Sequence, residues 1–257
     1  MLLAIDVGNT QTVLGLYAEG SAELFDHWRI STIANRTSDE LAVLVQEFLA
    51  FHGFTFAGQV GGVAVSSVVP RVTAAMREMV RRYMGFEALV IEPGVRTGMP
   101  ILYDNPKEVG ADRIANAVGA FDLYGGPTIV VDFGTATTFD AVSAKGEYLG
   151  GAIVPGIEIS LEALFERAAS LRRVELAEPR HVIGRSTVES IQSGALYGFA
   201  SQVDGICTRF MEELGESTVV LTGGLATVVS RFSRIEHQQE PWLTLHGLRL
   251  VYQRNQR

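Results

Sequence analysis

The chain has 257 residues, 47% of them hydrophobic, and a formal net charge of −8. That length allows one large domain or two small ones with a substantial core, and the acidic balance argues against a nucleic-acid surface, which needs a basic stripe. The only cysteine is Cys207, which excludes an intrachain disulfide and a cysteine-based zinc site and makes a reducing cytoplasm the default.

The chain opens with an apolar run, Leu2 to Ile5, broken by Asp6 and lacking a basic leader, so it reads as a first strand and not a signal peptide. No apolar stretch approaches the ~20 residues that span a bilayer, and a soluble protein is expected. After Asp6-Val7-Gly8-Asn9-Thr10 a second apolar segment, Val13 to Tyr17, completes a hairpin, and Leu24 to Ile30 reads as a third strand. Thr37 with Glu40 three positions on is a capping box; Leu41, Leu44, Val45, Phe48 and Leu49 form the apolar stripe of the helix it opens, which ends near Gly53. Val60 to Ser66 is a buried strand, Pro70 starts a helix whose Val72, Ala75, Met76, Met79, Val80 and Tyr83 face inward, and Ala88 to Glu92 is another strand. The order βββαβαβ is that of an RNase-H-like half. Basic residues cluster from Arg71 to Arg82 and at Arg172-Arg173, where helical spacing among apolar residues indicates solvated helix faces.

From Pro93 to Gly110 no period is sustained, which predicts a long, functional loop. It leads into Gly110-Ala111-Asp112-Arg113 at the head of a helix (Ile114, Ala115, Val118, Phe121) expected to link two halves. The second half repeats the hairpin with Thr128 to Val131, Asp132-Phe133-Gly134-Thr135 and Thr138 to Val142, and adds a third strand near Tyr148 to Ile153. Helices at Ile157 to Leu171 and Val188 to Leu214, a strand at Thr218 to Leu221 and a Gly223-Gly224 turn follow. Arg231 to Pro241 carries no interpretable motif, and the tail from Trp242 to Gln256 is apolar and then polar.

The repeated D-x-G-[NT]-x-x-T element is the most informative feature. Glycine at such a turn lets backbone N–H groups approach a phosphate, with Thr and Asn side chains donating beside them. Carboxylates repel a polyphosphate, so Asp6 and Asp132 imply a bridging cation. Aspartate before glycine is also an ordinary turn choice; its recurrence in matching context favours the functional reading. Asp112 reads either as a charge favouring the helix dipole or, beside Arg113, as a base for an attacking hydroxyl next to a cation for an anionic substrate. Ser186 to Glu189 reads as a capping box that leaves Thr187 free for a ligand. Tyr103 fits packing or binding equally, and Gly223-Gly224 fits a plain turn or an adenine contact. The only lysines, Lys107 and Lys145, lie outside any glycine-rich phosphate loop, which excludes Walker-type and protein-kinase chemistry. No dinucleotide fingerprint follows a strand, and the five histidines show no metal-ligand spacing.

Taken with Tyr103-x-x-Pro106, Gly151-Ala152-Ile153-x-Pro155-Gly156, Thr187-Val188-Glu189-Ser190-Ile191-Gln192-Ser193-Gly194 and Thr222-Gly223-Gly224-Leu225-Ala226, these motifs resemble the type III pantothenate kinases. The superfamily of that group also holds acetate and sugar kinases, actin and heat-shock ATPases, and the resemblance covers nearly the whole chain. It implies an α/β, duplicated RNase-H-like fold, with lobes at 1–113 and 114–257 and the nucleotide between them. It implies ATP-dependent phosphorylation of pantothenate, the first committed step towards coenzyme A. Asp6, Val7, Gly8, Asn9, Thr10, Gln11, Thr12 and Val13 would hold the ATP phosphates, with Asp6 near Mg²⁺ through water, and Thr135 would contact ATP. Asp112 would accept the proton, Asp132 would bind a monovalent cation (K⁺ or NH₄⁺), and Tyr103, Gly110, Ala111, Asp112, Arg113 and Thr187 would line the pantothenate pocket. A homodimer is implied as well. Ser186 departs from the asparagine of many relatives. Competing readings are a superfamily kinase with another small acceptor and a catalytically silent relative acting as a regulatory or accessory protein; the presence of Asp6, Asp112 and Asp132 speaks against the latter.

Overall fold

The structure, a computed structural model, describes residues 1–168 and 171–256. The chain divides into two units, Met1–Gly119 with Leu243–Arg257, and Ala120–Trp242. These differ from the expected lobes at two places: the helix after Gly110 continues the first unit as far as Gly119, and the C-terminal segment belongs to the first unit.

In the first unit β1 (Leu2–Val7), β2 (Gln11–Tyr17) and β3 (Leu24–Ser31) form an antiparallel meander. Helices α1 (Ser38–Ala50) and the short α2 (Phe56–Gln59) lead to β4 (Gly62–Ser67), which pairs in parallel with β1. Helix α3 (Pro70–Met79) runs into a π-helical turn, Val80–Met84, before β5 (Leu89–Val90) completes the order β3-β2-β1-β4-β5. The capping box forms as its residues dictate: Glu40 N–H donates to Thr37 Oγ1 at 3.3 Å and Thr37 N–H to Glu40 Oε2 at 2.8 Å. Alternation along the strands sends Leu3, Ile5, Val7, Leu14, Leu16, Val63 and Val65 to one face, where they pack on Leu41, Val45 and Leu49 of α1 and Val72, Met76 and Met79 of α3. Burial of each such side chain stabilises by about 1.5–3 kcal/mol. Tyr83, expected inward, is 38% exposed and donates to Asp39 Oδ1 at 2.6 Å. The π turn widens the helix just before it and rotates its side chain out of the stripe.

Helix α4 (Ala111–Tyr124) carries the chain from the first unit into the second, where β6 (Thr128–Phe133), β7 (Ala136–Val142) and β8 (Tyr148–Pro155) form another antiparallel meander. Helices α5 (Ile157–Arg167) and α6 (Thr187–Leu214) precede β9 (Thr218–Gly223), which is parallel to β6. The helix expected to reach Leu171 ends at Arg167 among the described residues, and positions 169–170 of its range lie outside them. Arg172 and Arg173 therefore lie on an irregular segment and not on a helix face, with Arg173 Nη2 3.8 Å from Glu162 Oε1. Helix α7 (Ala226–Val229) and a 3-10 turn lead to β10 (Gln238–Gln239), which pairs in parallel with Val220 and Leu221. Thus the stretch without a motif supplies the last strand of the order β10-β9-β6-β7-β8.

Taken in chain order, the strands of both sheets are 6, 7, 8, 6 and 2 residues long, so the duplication is complete at the level of the sheet. In the second unit Ile129, Val131, Phe133, Phe139, Val219 and Leu221 pack on Ile157, Ala200, Val203, Cys207, Ala226 and Val229. Burial there pushes the Cys207 thiol up to about 12.

The tail forms α8 (Leu243–Asn255), which covers the second face of the first sheet. That face is lined by small residues, Ala4, Gly15, Gly62 and Ala64, because the helix lies close: a β carbon on Gly15 would lie 2.6 Å from Leu245 Cδ1, and one on Gly62 would overlap the Tyr252 phenol. Within the same unit α8 also meets α4 backbone to backbone, with Gly247 against the Ala115 carbonyl and Thr244 Oγ1 donating to Asn116 Oδ1 at 2.7 Å.

Candidate active site

Asp6 is the penultimate residue of β1, opposite Val13 of β2 and Ser66 of β4. The turn that follows has four residues, Gly8 to Gln11, between the paired Val7 and Thr12. Gly8 N–H donates to the Gln11 carbonyl at 3.0 Å, Thr32 N–H donates to the Thr10 carbonyl at 2.9 Å, and Arg29 Nη1 donates to Gln11 Oε1 at 3.1 Å. This leaves Asn9, Thr10 and Gln11 exposed on a braced turn. Thr12 is buried and shares a 2.8 Å hydrogen bond with the Thr32 hydroxyl, and Val13 is half-buried.

The second unit repeats the device. Asp132 is penultimate in β6, opposite Thr138 of β7 and Thr222 of β9. Its turn has three residues, Gly134 to Ala136, one fewer than the first, because Phe133 pairs with Thr137. Gly134 N–H donates to the Ala136 carbonyl at 3.0 Å, and Gly156 N–H to the Thr135 carbonyl at 3.0 Å. Gly156 lies so close that a β carbon would overlap the Thr135 carbonyl; this turn is held from below while Thr135 stays exposed. Gly223, at φ +91°, packs against Asp132, with a β carbon there falling 2.5 Å from Oδ1.

One acidic residue escaped the sequence reading. Asp140 is fully buried within β7, accepting from the Tyr148 hydroxyl at 2.7 Å and from Thr138 Oγ1 at 3.2 Å. Its signal was a carboxylate inside an otherwise apolar strand, Phe139-Asp140-Ala141-Val142. A buried polar group is retained where it is hydrogen-bonded, and one of the donors to this carboxyl, Thr138, is the strand partner of Asp132.

The long loop is tied down at its start by the last turn of α8. Asn255 Oδ1 accepts from Arg96 N–H at 3.2 Å, Asn255 Nδ2 donates to the Arg96 carbonyl at 2.9 Å, and Arg254 Nη1 donates to the Thr97 carbonyl. Farther along, half-buried Tyr103 precedes a 3-10 turn, Pro106–Glu108, and α4 begins at Ala111. Asp112 sits in the first helical turn, where the helix dipole favours a carboxylate by ~0.3–1 kcal/mol. Its Oδ1 accepts from Arg113 N–H at 2.8 Å and folds back over Gly110, where a β carbon would overlap it. Gly110 is thus the residue that gives this carboxylate its room. Arg113 is buried beside it, only 7% exposed.

Thr187 opens α6 and is exposed. Ser186 caps the helix by accepting from Glu189 N–H at 3.2 Å, but Glu189 Oε2 accepts from Arg185 N–H at 3.1 Å and not from Ser186. The predicted capping box is therefore one-sided, the glutamate reaching one residue farther back. Val182, Ile183 (82% exposed) and Val188 lie around Thr187 in sequence as uncovered apolar side chains.

Among the described residues no three His, Cys, Asp or Glu side chains converge on a metal position, and no helix is long and apolar enough to cross a membrane. His52 Nε2 lies 2.5 Å from Asp26 Oδ2 amid Phe25, Trp28 and Phe54, and His237 Nδ1 lies 2.8 Å from the Ile235 carbonyl. A surface cavity of about 470 Å³ in the second unit is lined by Tyr197, Asp204, Phe232 and Arg234, among others, and by none of the sequence-predicted site residues.

Two five-stranded mixed sheets of identical order, each with a carboxylate and a glycine turn at the end of its first strand, define the duplicated RNase-H-like α/β fold of the sugar kinases and actin-like ATPases. A conserved Baf family protein from Campylobacter jejuni has this fold, with a TM-score of 0.61 and 16% identity over 99% of this chain and 98% of that one. An inorganic polyphosphate/ATP-glucomannokinase from an Arthrobacter species matches with a TM-score of 0.52 and 13% identity over 100% and 99%. Sequence narrows the class further. The family model of type III pantothenate kinase matches residues 2–209, and a type III pantothenate kinase of Streptomyces avermitilis is 59% identical over 99% of this chain and 98% of its own. The chain belongs to the type III pantothenate kinase family.

Proposed function

We infer that this chain transfers the γ-phosphoryl group of ATP to the primary hydroxyl of pantothenate, the first step of coenzyme A biosynthesis. The observation that carries this reading is the repetition of one device in the two units of a family member: a penultimate strand carboxylate, a glycine turn with exposed hydroxyl or amide side chains, and a hydroxyl on the parallel neighbour.

The braced Gly8 to Gln11 turn holds the ATP phosphates through its backbone and through Asn9 and Thr10, and Thr135 contacts ATP from the second turn. Asp112 orients the attacking hydroxyl and accepts its proton. In a loose phosphoryl-transfer transition state the nucleophile loses its proton late, so fixing the carboxylate on the first turn of α4 outweighs raising its basicity. Arg113 binds the pantothenate carboxylate, and Tyr103, Gly110, Ala111 and Thr187 complete the acceptor pocket.

Asp6 fits a water-mediated contact to Mg²⁺, since the buried Ser66 hydroxyl in register beside it makes no hydrogen bond of its own. Asp132 fits a monovalent cation, K⁺ or NH₄⁺: its carboxylate is a hard oxygen donor, and the point beside Gly223 that a β carbon would take lies 2.5 Å from its Oδ1 and 2.7 Å from the Phe133 carbonyl oxygen. When bound, these cations neutralise charge on the transferring phosphoryl group. A homodimer in the cytoplasm completes the reading; the exposed Val182, Ile183 and Val188, near Thr187 in sequence, support the dimer alone.

The test is ADP release from ATP in a coupled assay with pantothenate, with and without potassium, against a panel of sugars and acetate. Turnover with pantothenate that requires the cation is expected; turnover with another acceptor alone overturns the substrate assignment.

A further inference from the structure

One buried polar group beside the first hairpin has no partner within the unliganded fold. Ser66 is completely buried in β4, and its Oγ has no hydrogen-bond partner. The next residue differs: Ser67 Oγ accepts from Val69 N–H at 3.2 Å and from Thr73 Oγ1 at 2.7 Å, so its hydroxyl is consumed in starting α3. A buried hydroxyl without a partner is destabilising relative to an apolar side chain of the same shape. The position would accept alanine, as Ala64 does two residues earlier on the same face of the strand.

Register says what Ser66 faces. It is the parallel-strand partner of Asp6, and partners in register present their side chains on one face, about 4.8 Å apart across the ladder. The second unit repeats the pairing with another hydroxyl, Thr222 beside Asp132. An unused donor-acceptor next to the carboxylate assigned to hydrated magnesium suits one task in particular. Magnesium keeps several of its waters, and each bound water donates two hydrogen bonds that need acceptors.

We propose that Ser66 is a positioning residue for magnesium-bound nucleotide, its Oγ accepting a hydrogen bond from a magnesium-bound water while Asp6 accepts another. The inference rests on the assignment of Asp6 given above. It predicts that Ser66 acts on the nucleotide only when magnesium is present and contributes nothing to the unliganded fold.

The experiment is calorimetric titration of the full chain with ADP, in magnesium and in EDTA, for the wild type, Ser66→Ala and Ser66→Thr, with thermal unfolding of each unliganded protein. Ser66→Ala should lose roughly tenfold in ADP affinity in magnesium, keep its affinity in EDTA, and unfold at or above the wild-type temperature; Ser66→Thr, which keeps the hydroxyl, should restore the magnesium-dependent gain. Equal weakening in both buffers, no weakening in either, or a lowered unfolding temperature of Ser66→Ala with magnesium dependence intact overturns the proposal. The titration contains no pantothenate. A wild type that binds ADP as described but fails to phosphorylate pantothenate therefore refutes the substrate assignment and leaves Ser66 standing.

Discussion

Asp132 Oδ1 lies directly against Gly223, so that a β carbon on the glycine would fall 2.5 Å from the carboxylate oxygen, and Gly223 itself holds φ at +91°. Strand β9 thus closes on the end of β6 at a place where only the absence of a side chain leaves the carboxylate its position.

Gly223→Ala strains the backbone and displaces Asp132 together. Destabilisation of about 1–3 kcal/mol is expected by urea unfolding, with weakened potassium activation in the kinase assay. A variant with unchanged potassium dependence would separate Asp132 from the cation.

Asp112→Asn keeps the shape over Gly110 and removes the proton acceptor. Turnover should fall by roughly 10²–10⁴-fold while ADP affinity and unfolding temperature stay near wild type. Near-normal turnover would refute the proposed base.

Gly247→Ala drives a methyl group into the Ala115 carbonyl, where α8 and α4 touch backbone to backbone. The cost should be about 1–3 kcal/mol in chemical denaturation, as for other overpacked sites. Because α4 carries Asp112 on its first turn, pantothenate KM should rise as well.

At the edge strand β3, a hydrogen bond with His52 holds the Asp26 carboxyl below its ordinary value of 3.8. A depressed folded-state value means that the contribution to stability is fully present above the unfolded value and is lost as pH falls through the folded one. Asp26→Asn should therefore lower stability at neutral pH and flatten the acid limb of a stability-versus-pH curve; a parallel acid limb would show that the pair contributes nothing.

Local chemistry was legible because it needs only neighbours in sequence. Thr37 and Glu40 formed their reciprocal cap, alternation placed Leu3, Ile5 and Val7 in the core, and glycine after aspartate marked both turns. The motif aligned Thr12 with Thr138, yet register pairs Thr12 with Val7 and Thr137 with Phe133. Turn length is set by strand pairing, which hydrophobic pattern alone does not specify. Strand β10, at two residues, has no period to detect and exists because β9 offers it an edge. Asp140 was hidden because its partner Tyr148 stands on the neighbouring strand.

By itself, the sequence determined which residues make the two carboxylate turns, which helices start where, and which family the chain resembles, since each of these is written in contiguous residues. Tertiary structure alone decided that the C-terminal helix returns to the first sheet, that Gly15 and Gly62 are small because that helix lies against them, that Gly247 within the helix is small because it meets the backbone of α4, and that Ser66 stands beside Asp6. Those relations join residues far apart along the chain, and close packing, which local propensity does not encode, brings them together.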